Sequence, residues 1–120
     1  MRAAAVVLSL LLAACAHQGF VADRLYCGLS IPGGGAVTQA DLDAFIASEV
    51  EPRFPGGFTV WRARGHWKGG YEETMVIEIL HAPSPGLNEA VRQIGEAYRT
   101  RFRQEAVLRV TSPARMTLQR

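Results

Sequence analysis

His66 and Glu72 flank a Lys68-Gly69-Gly70 turn, so a hairpin there could set an imidazole against a carboxylate, the pairing that general acid–base chemistry uses. Both residues fall at the exposed tip, where water screens such a pair, and the arrangement reads as surface charge. His17, His66 and His81 share no i, i+4 spacing with another ligand type, so no local metal motif results. Gly33-Gly34-Gly35 precedes a helix start, where backbone N–H groups can cradle a phosphate. It lacks both the Gly-x-Gly-x-x-Gly spacing and a following Lys-Ser/Thr pair, and it reads as a turn. No nucleophile-and-base set is recognisable. The sequence implies no cofactor and no metal, and it favours a binding protein over an enzyme.

The two cysteines have different settings. Met1-Arg2 followed by the apolar run Ala3 to Leu12 has the form of a secretory signal, too short for the roughly 20 residues of a membrane-spanning helix. The run ends in Leu12-Ala13-Ala14-Cys15, which resembles the lipobox of bacterial lipoproteins. That resemblance implies removal of residues 1–14 as a signal peptide and acylation of Cys15 with diacylglycerol and palmitate-type chains. Each buried methylene contributes about 0.8 kcal/mol, so several chains hold the protein at a lipid bilayer without a span. Residues 15–23 form a short tether. Ala16 in place of an aspartate favours the outer membrane, facing the periplasm, if the host is Gram-negative. With Cys15 acylated, Cys27 has no disulfide partner and reads as a small buried hydrophobe.

Removing Arg2 with the signal leaves twelve basic residues against eleven acidic ones. A nearly neutral domain offers no broad positive field, which excludes nucleic acid as a partner class. Roughly a hundred mature residues suit one domain with one core. Its expected limits are residues 24–112, with 113–120 as a C-terminal tail.

Alternation predicts a strand over Arg24 to Ser30, with Leu25, Cys27 and Leu29 on one side. Thr38-x-x-Asp41 resembles a capping box, and Leu42, Phe45, Ile46 and Val50 give a helix over 39–50. Strands follow over 58–67 and 71–80. A three-residue loop between them groups Trp61 and Ala63 with Met75, Ile77 and Ile79, and leaves Val60, Arg62, Arg64 and His66 with Glu72, Val76 and Glu78 on the opposite side. Ser84-Pro85 opens a second amphipathic helix through Val91, Ile94, Tyr98 and Phe102, and a last strand covers 106–111. The order βαββαβ predicts an α+β, ferredoxin-like domain. It has a four-stranded antiparallel sheet with two helices on one face, and the other face is open.

Three blocks stand out: Arg24-Leu25-Tyr26-x-Gly28-Leu29, then Pro52-Arg53-Phe54-Pro55-x-Gly57-Phe58-Thr59-Val60, and then Gly65-x-Trp67 with Glu73-Thr74. In these the chain resembles the bacterial domain-of-unknown-function family 3574, whose members are small and often exported. It departs from the family at Cys27, where an aromatic residue is usual, and at Gly56, where aspartate is usual. The resemblance implies relatedness and fold without an activity.

Arg53, Trp67 and Glu73 belong to these blocks, and their place beside turns favours structural roles. The open sheet face is the candidate functional surface. Tyr26, Arg62, Arg64, His66 and Glu78, with Val60, Val76 and Arg109, would mix apolar, aromatic and ionic groups there, which suits a solvated sheet face and equally a partner or ligand surface. The expected function is a membrane-anchored binding or assembly module of the cell envelope, whose partner is a second copy or another envelope protein. The alternative is a small dimeric α+β barrel-like enzyme with a pocket lined by that face.

Overall fold

The computed structural model describes residues 19–120; the signal segment and Cys15 lie outside the described residues. Along the chain run β1 (Phe20–Gly28), α1 (Gln39–Phe45, continuing as a π-helical stretch Ile46–Val50), β2 (Thr59–Trp67), β3 (Gly70–His81), α2 (Pro85–Arg101) and β4 (Leu108–Ala114). The strands lie in the order β2-β3-β1-β4, and each neighbouring pair is antiparallel. The fold is the predicted α+β arrangement with β1 and β3 central.

Local chemistry sets the helix ends. Thr38 Oγ1 accepts from the Asp41 N–H at 3.1 Å while Asp41 Oδ2 accepts from the Thr38 N–H at 2.9 Å, closing the capping box. At the other end the Glu51 N–H reaches the Ile46 carbonyl at 3.0 Å, a π-type turn that widens the helix before Pro52. Arg53 serves this end: its Nη1 donates to the Glu49 carbonyl at 2.9 Å and to Glu49 Oε2 at 2.8 Å. Ser84 Oγ caps α2 by accepting from the Leu87 N–H at 3.1 Å, with Pro85 in the first turn.

Both helices cover one sheet face. Leu25 and Cys27 from β1 and Met75, Ile77 and Ile79 from β3 are buried against Leu42, Phe45 and Val50 of the first helical segment and Val91, Ile94 and Tyr98 of α2. The Phe45 ring meets Tyr98 edge-on at 5.1 Å and Phe102 at 6.0 Å. Tyr98 buries its ring and donates its hydroxyl to the Gly28 carbonyl at 2.7 Å, so the polar tip is satisfied inside the core. Cys27 is fully buried, and burial pushes its thiol up to about 12, which leaves it without thiolate character.

The boundaries differ from expectation at two places. Strand β1 starts at Phe20, inside the expected tether, because Asp23 continues the strand as a buried, fully paired residue. Strand β4 runs to Ala114, past the expected start of the tail. Pro113 pairs with Val21 on an edge strand, where proline's missing N–H leaves the ladder least harmed.

The β2–β3 register corrects the sequence reading. Trp67 pairs with Gly70, so the loop is the two-residue Lys68-Gly69, with both residues at positive φ (48° and 78°) in the mirror-image turn that matches strand twist. Arg62 therefore lies opposite Met75, and Arg64 opposite Glu73. This one-residue slip exchanges the faces of the whole strand. Trp61 and Ala63 move out of the core, and Val60 moves toward it.

Candidate site on the open sheet face

Strand registers build the uncovered face row by row. Trp61 pairs with Val76, Val76 with Tyr26 and Tyr26 with Leu108, which makes one continuous apolar row across all four strands. Trp61 is 39% exposed and Leu108 61%, whereas Val76 between its two aromatic neighbours is 1% exposed. The next row is Thr59, Glu78, Arg24 and Val110. Arg24 Nε donates to Glu78 Oε2 at 2.7 Å, so the row carries one positive and one negative group in contact. Half-exposed pairs of this kind stabilise a fold by only about 0–1 kcal/mol.

Tyr26 and Glu78 thus stand where the sequence reading placed them. Arg62, Arg64 and His66 do not: all three take the helix-side parity of β2. Arg62 Nη2 donates to Gln39 Oε1 at the start of α1 at 2.8 Å. The Arg64 guanidinium lies 4.3 Å over the Tyr71 ring, and His66 packs edge-on against that ring at 5.1 Å. These polar groups tolerate the inner parity because β2 is an edge strand that the helices cover only in part, as the exposure of Arg62, Arg64 and His66 shows. His66 and Glu72 fall on opposite faces and form no pair; Glu72 Oε1 instead accepts from the Ser30 N–H at 3.0 Å. Trp67 is exposed beside the turn, and the Glu73 carbonyl accepts from the Leu29 N–H at 3.0 Å.

Arg109 also leaves the open face. It belongs to a buried ionic cluster that the sequence reading missed, centred on Asp23, which is 0% exposed. Asp23 accepts from Arg109 Nε at 2.8 Å and Nη2 at 3.0 Å, from the Thr111 hydroxyl, and from His81 Nε2 at 2.6 Å. Arg109 Nη2 further donates to Asn88 Oδ1 at 2.8 Å, tying β4 to α2. Burial alone would raise the Asp23 pKa, but hydrogen bonds from Arg109, His81 and Thr111 outweigh it and hold the carboxyl at about 2. Both His81 ring nitrogens are engaged by oxygens, the second by the Ala82 carbonyl at 2.8 Å. The cluster is structural. Its signal was present in the sequence: Asp23 and His81 share parity with the core residues of central strands, where a charge requires partners.

Among the described residues no group of three or more His, Cys, Asp or Glu could hold a metal ion, and no helix is long and apolar enough to cross a membrane. Gly33-Gly34-Gly35 forms a turn closed by the Ile31 N–H on the Gly35 carbonyl and the Gly34 N–H on the Ile31 carbonyl, both at 3.0 Å.

No curated protein matches the chain. Two solved structures share its fold. One is a phage SAM lyase in complex with S-methyl-5′-thioadenosine, 22% identical over 81% of this chain and 83% of that one, with a TM-score of 0.57. The other is a phage SAM lyase in the apo state, 18% identical over 82% and 83%, also at 0.57. A family model described as "Protein of unknown function (DUF3574)" matches residues 22–118, which include every strand from Ala22 onward and both helices. The chain belongs to the DUF3574 family.

Proposed function

We propose that this protein is an envelope lipoprotein, anchored to a bilayer through acylated Cys15, that acts as a binding or assembly module through its open sheet face. The supporting observation is the row Trp61, Val76, Tyr26 and Leu108, an apolar band on the face that neither helix covers. The occupant this face fits is a second copy of the chain. Arg24 and Glu78 neutralise each other beside the band, so two copies meet without like-charge repulsion, and a twofold contact is self-complementary by construction.

The chain lacking residues 1–15 retains all of the described core and suits solution work. Sedimentation should show a self-associating species, and the Trp61→Gln, Leu108→Gln double variant should be monomeric with an unchanged far-UV spectrum. A wild-type monomer at high micromolar concentration would assign the face to another envelope protein or to solvent. The anchor has its own test. Mass spectrometry of the mature N-terminus should find acylated Cys15; an unmodified peptide beginning at Ala16 or later would remove the membrane from the account. In a Gram-negative host the acylated chain belongs on the outer membrane, facing the periplasm.

A second reading, a small enzyme whose pocket is lined by the open face, draws support from the fold shared with the phage SAM lyase and its S-methyl-5′-thioadenosine. Trp61 and Tyr26 offer aromatic surface on which a purine could stack. Calorimetric titration with S-methyl-5′-thioadenosine decides between the readings, since a binding heat that disappears in Trp61→Gln favours the pocket.

A further inference from the structure

A cavity of about 360 Å³ opens at one corner of the sheet, lined by Phe54, Phe58, Thr59, Glu78, Leu80 and Met116 together with the backbone of Gly56 and Gly57. Its size lies at the lower end of small-molecule sites. Its chemistry is one-sided. Two phenyl rings, a thioether and a leucine supply an apolar wall, Thr59 brings a hydroxyl, and the only ionised side chain in the lining is the Glu78 carboxylate. Arg24 engages Glu78 through Oε2, and Glu78 Oε1 carries no hydrogen bond from the described residues. Arg24 itself is not part of the lining.

The Phe54–Thr59 stretch of the wall falls within the Pro52–Val60 block that the sequence analysis singled out; Phe54 belongs to the core and packs against His81 at 6.0 Å, and Phe58 is partly buried against the core. Gly57 sits there at φ 132°, a conformation that side chains resist, and a Cβ added at Gly56 or Gly57 would meet no atom within 4 Å. Backbone conformation at Gly57, rather than crowding, is what calls for glycine in this turn.

We propose that this corner cavity binds a small organic ammonium ion. The alkyl part packs against Phe58, Leu80 and Met116, the cation is attracted to the phenyl faces, and the N–H groups donate to Glu78 Oε1 and Thr59 Oγ1. An anionic ligand of the same shape would meet the carboxylate with only Arg24, which lies outside the lining, to offset it, so charge selects the ligand. The site shares Thr59 and Glu78 with the row beside the apolar band but includes neither Trp61 nor Leu108, so the two proposals can be tested on different residues.

Titration of the chain lacking residues 1–15 with n-butylammonium, n-butanol and n-butyrate at pH 7, followed by NMR through the Leu80 and Met116 methyl groups, tests the proposal. The expected result is a saturable shift with n-butylammonium at an affinity at least tenfold above n-butanol, and n-butyrate weaker than both. Glu78→Gln should bring n-butylammonium to within twofold of n-butanol. Met116→Lys, in the segment beyond the last strand, should place a competing cation at the mouth and lower n-butylammonium affinity about tenfold, read through Leu80. Equal affinity for the three probes, a preference for n-butyrate, or an ammonium preference that survives Glu78→Gln would each overturn the site. The Trp61→Gln, Leu108→Gln variant should bind n-butylammonium like the wild type, so that failure of the docking face and failure of the cavity are read separately.

Discussion

Asp23→Ala should destabilise the fold by about 3–5 kcal/mol, the range for breaking a buried ion pair by removing one partner. The loss is large because the alanine leaves Arg109 and His81 facing each other across a site that no longer holds a negative charge, and strands β1, β3 and β4 all depend on it. Urea denaturation at pH 7 measures the loss; a value under about 1 kcal/mol would show that the cluster relaxes to water. The same group sets an acid limb. Its folded pKa of about 2 lies below the usual 3.8, so its contribution is fully present above the unfolded value and disappears as pH falls from about 5 toward 2. A gap of that size corresponds to about 2 kcal/mol. Wild-type stability should therefore fall through this window more steeply than that of Asp23→Ala, which has no carboxyl to protonate.

The second large effect belongs to Phe45→Ala, expected to cost about 3–5 kcal/mol. Phe45 is fully buried, its ring is set edge-on to Tyr98 and tilted against Phe102, and the Arg101 guanidinium lies 5.3 Å over its face. Nothing exposed can move in to fill the void between α1 and α2. Guanidinium melts of the two proteins give the difference, and a loss below about 1 kcal/mol would mean that the helices close over the gap.

The fold was legible because each element states its period plainly. Leu25, Cys27 and Leu29 alternate, Val91, Ile94 and Tyr98 recur by helical turns, and Thr38 with Asp41 marks a helix start. The hairpin register was not legible, and with it Val60, Arg62, Arg64 and His66 left the open face. Lys68-Gly69-Gly70 offers two loops that differ by one residue, and the glycine-favoured left-handed position in the longer one argued for it. The shorter loop instead places Lys68 at φ 48°, a conformation lysine adopts at some cost. Sequence alternation in β2 could not arbitrate, because Trp61 and Val60 are both apolar neighbours on a partly covered edge strand. What decides is packing: Val60 joins the core beside Ile77, and Arg62 finds Gln39. The ionic cluster showed in the sequence only as charges at core parity, and its partners could not be read there. Its members lie on three strands and a helix, and only the assembled sheet brings Asp23 to Arg109 and His81.

The placement of β1 has a consequence for how the chain acquires its structure. It is synthesised first among the strands, yet it sits between the two that come third and last, pairing Val21 with His81 and Phe20 with Ala114. Only β2 and β3 can zip locally; the ladder of β1 with β3 waits for His81, and the ladder of β1 with β4 waits for Ala114. Such sequence-distant pairing makes for slower folding than that of a helical bundle of the same size. On the export route proposed above that delay is an advantage, because the ladders of β1 stay open while the chain is still being threaded.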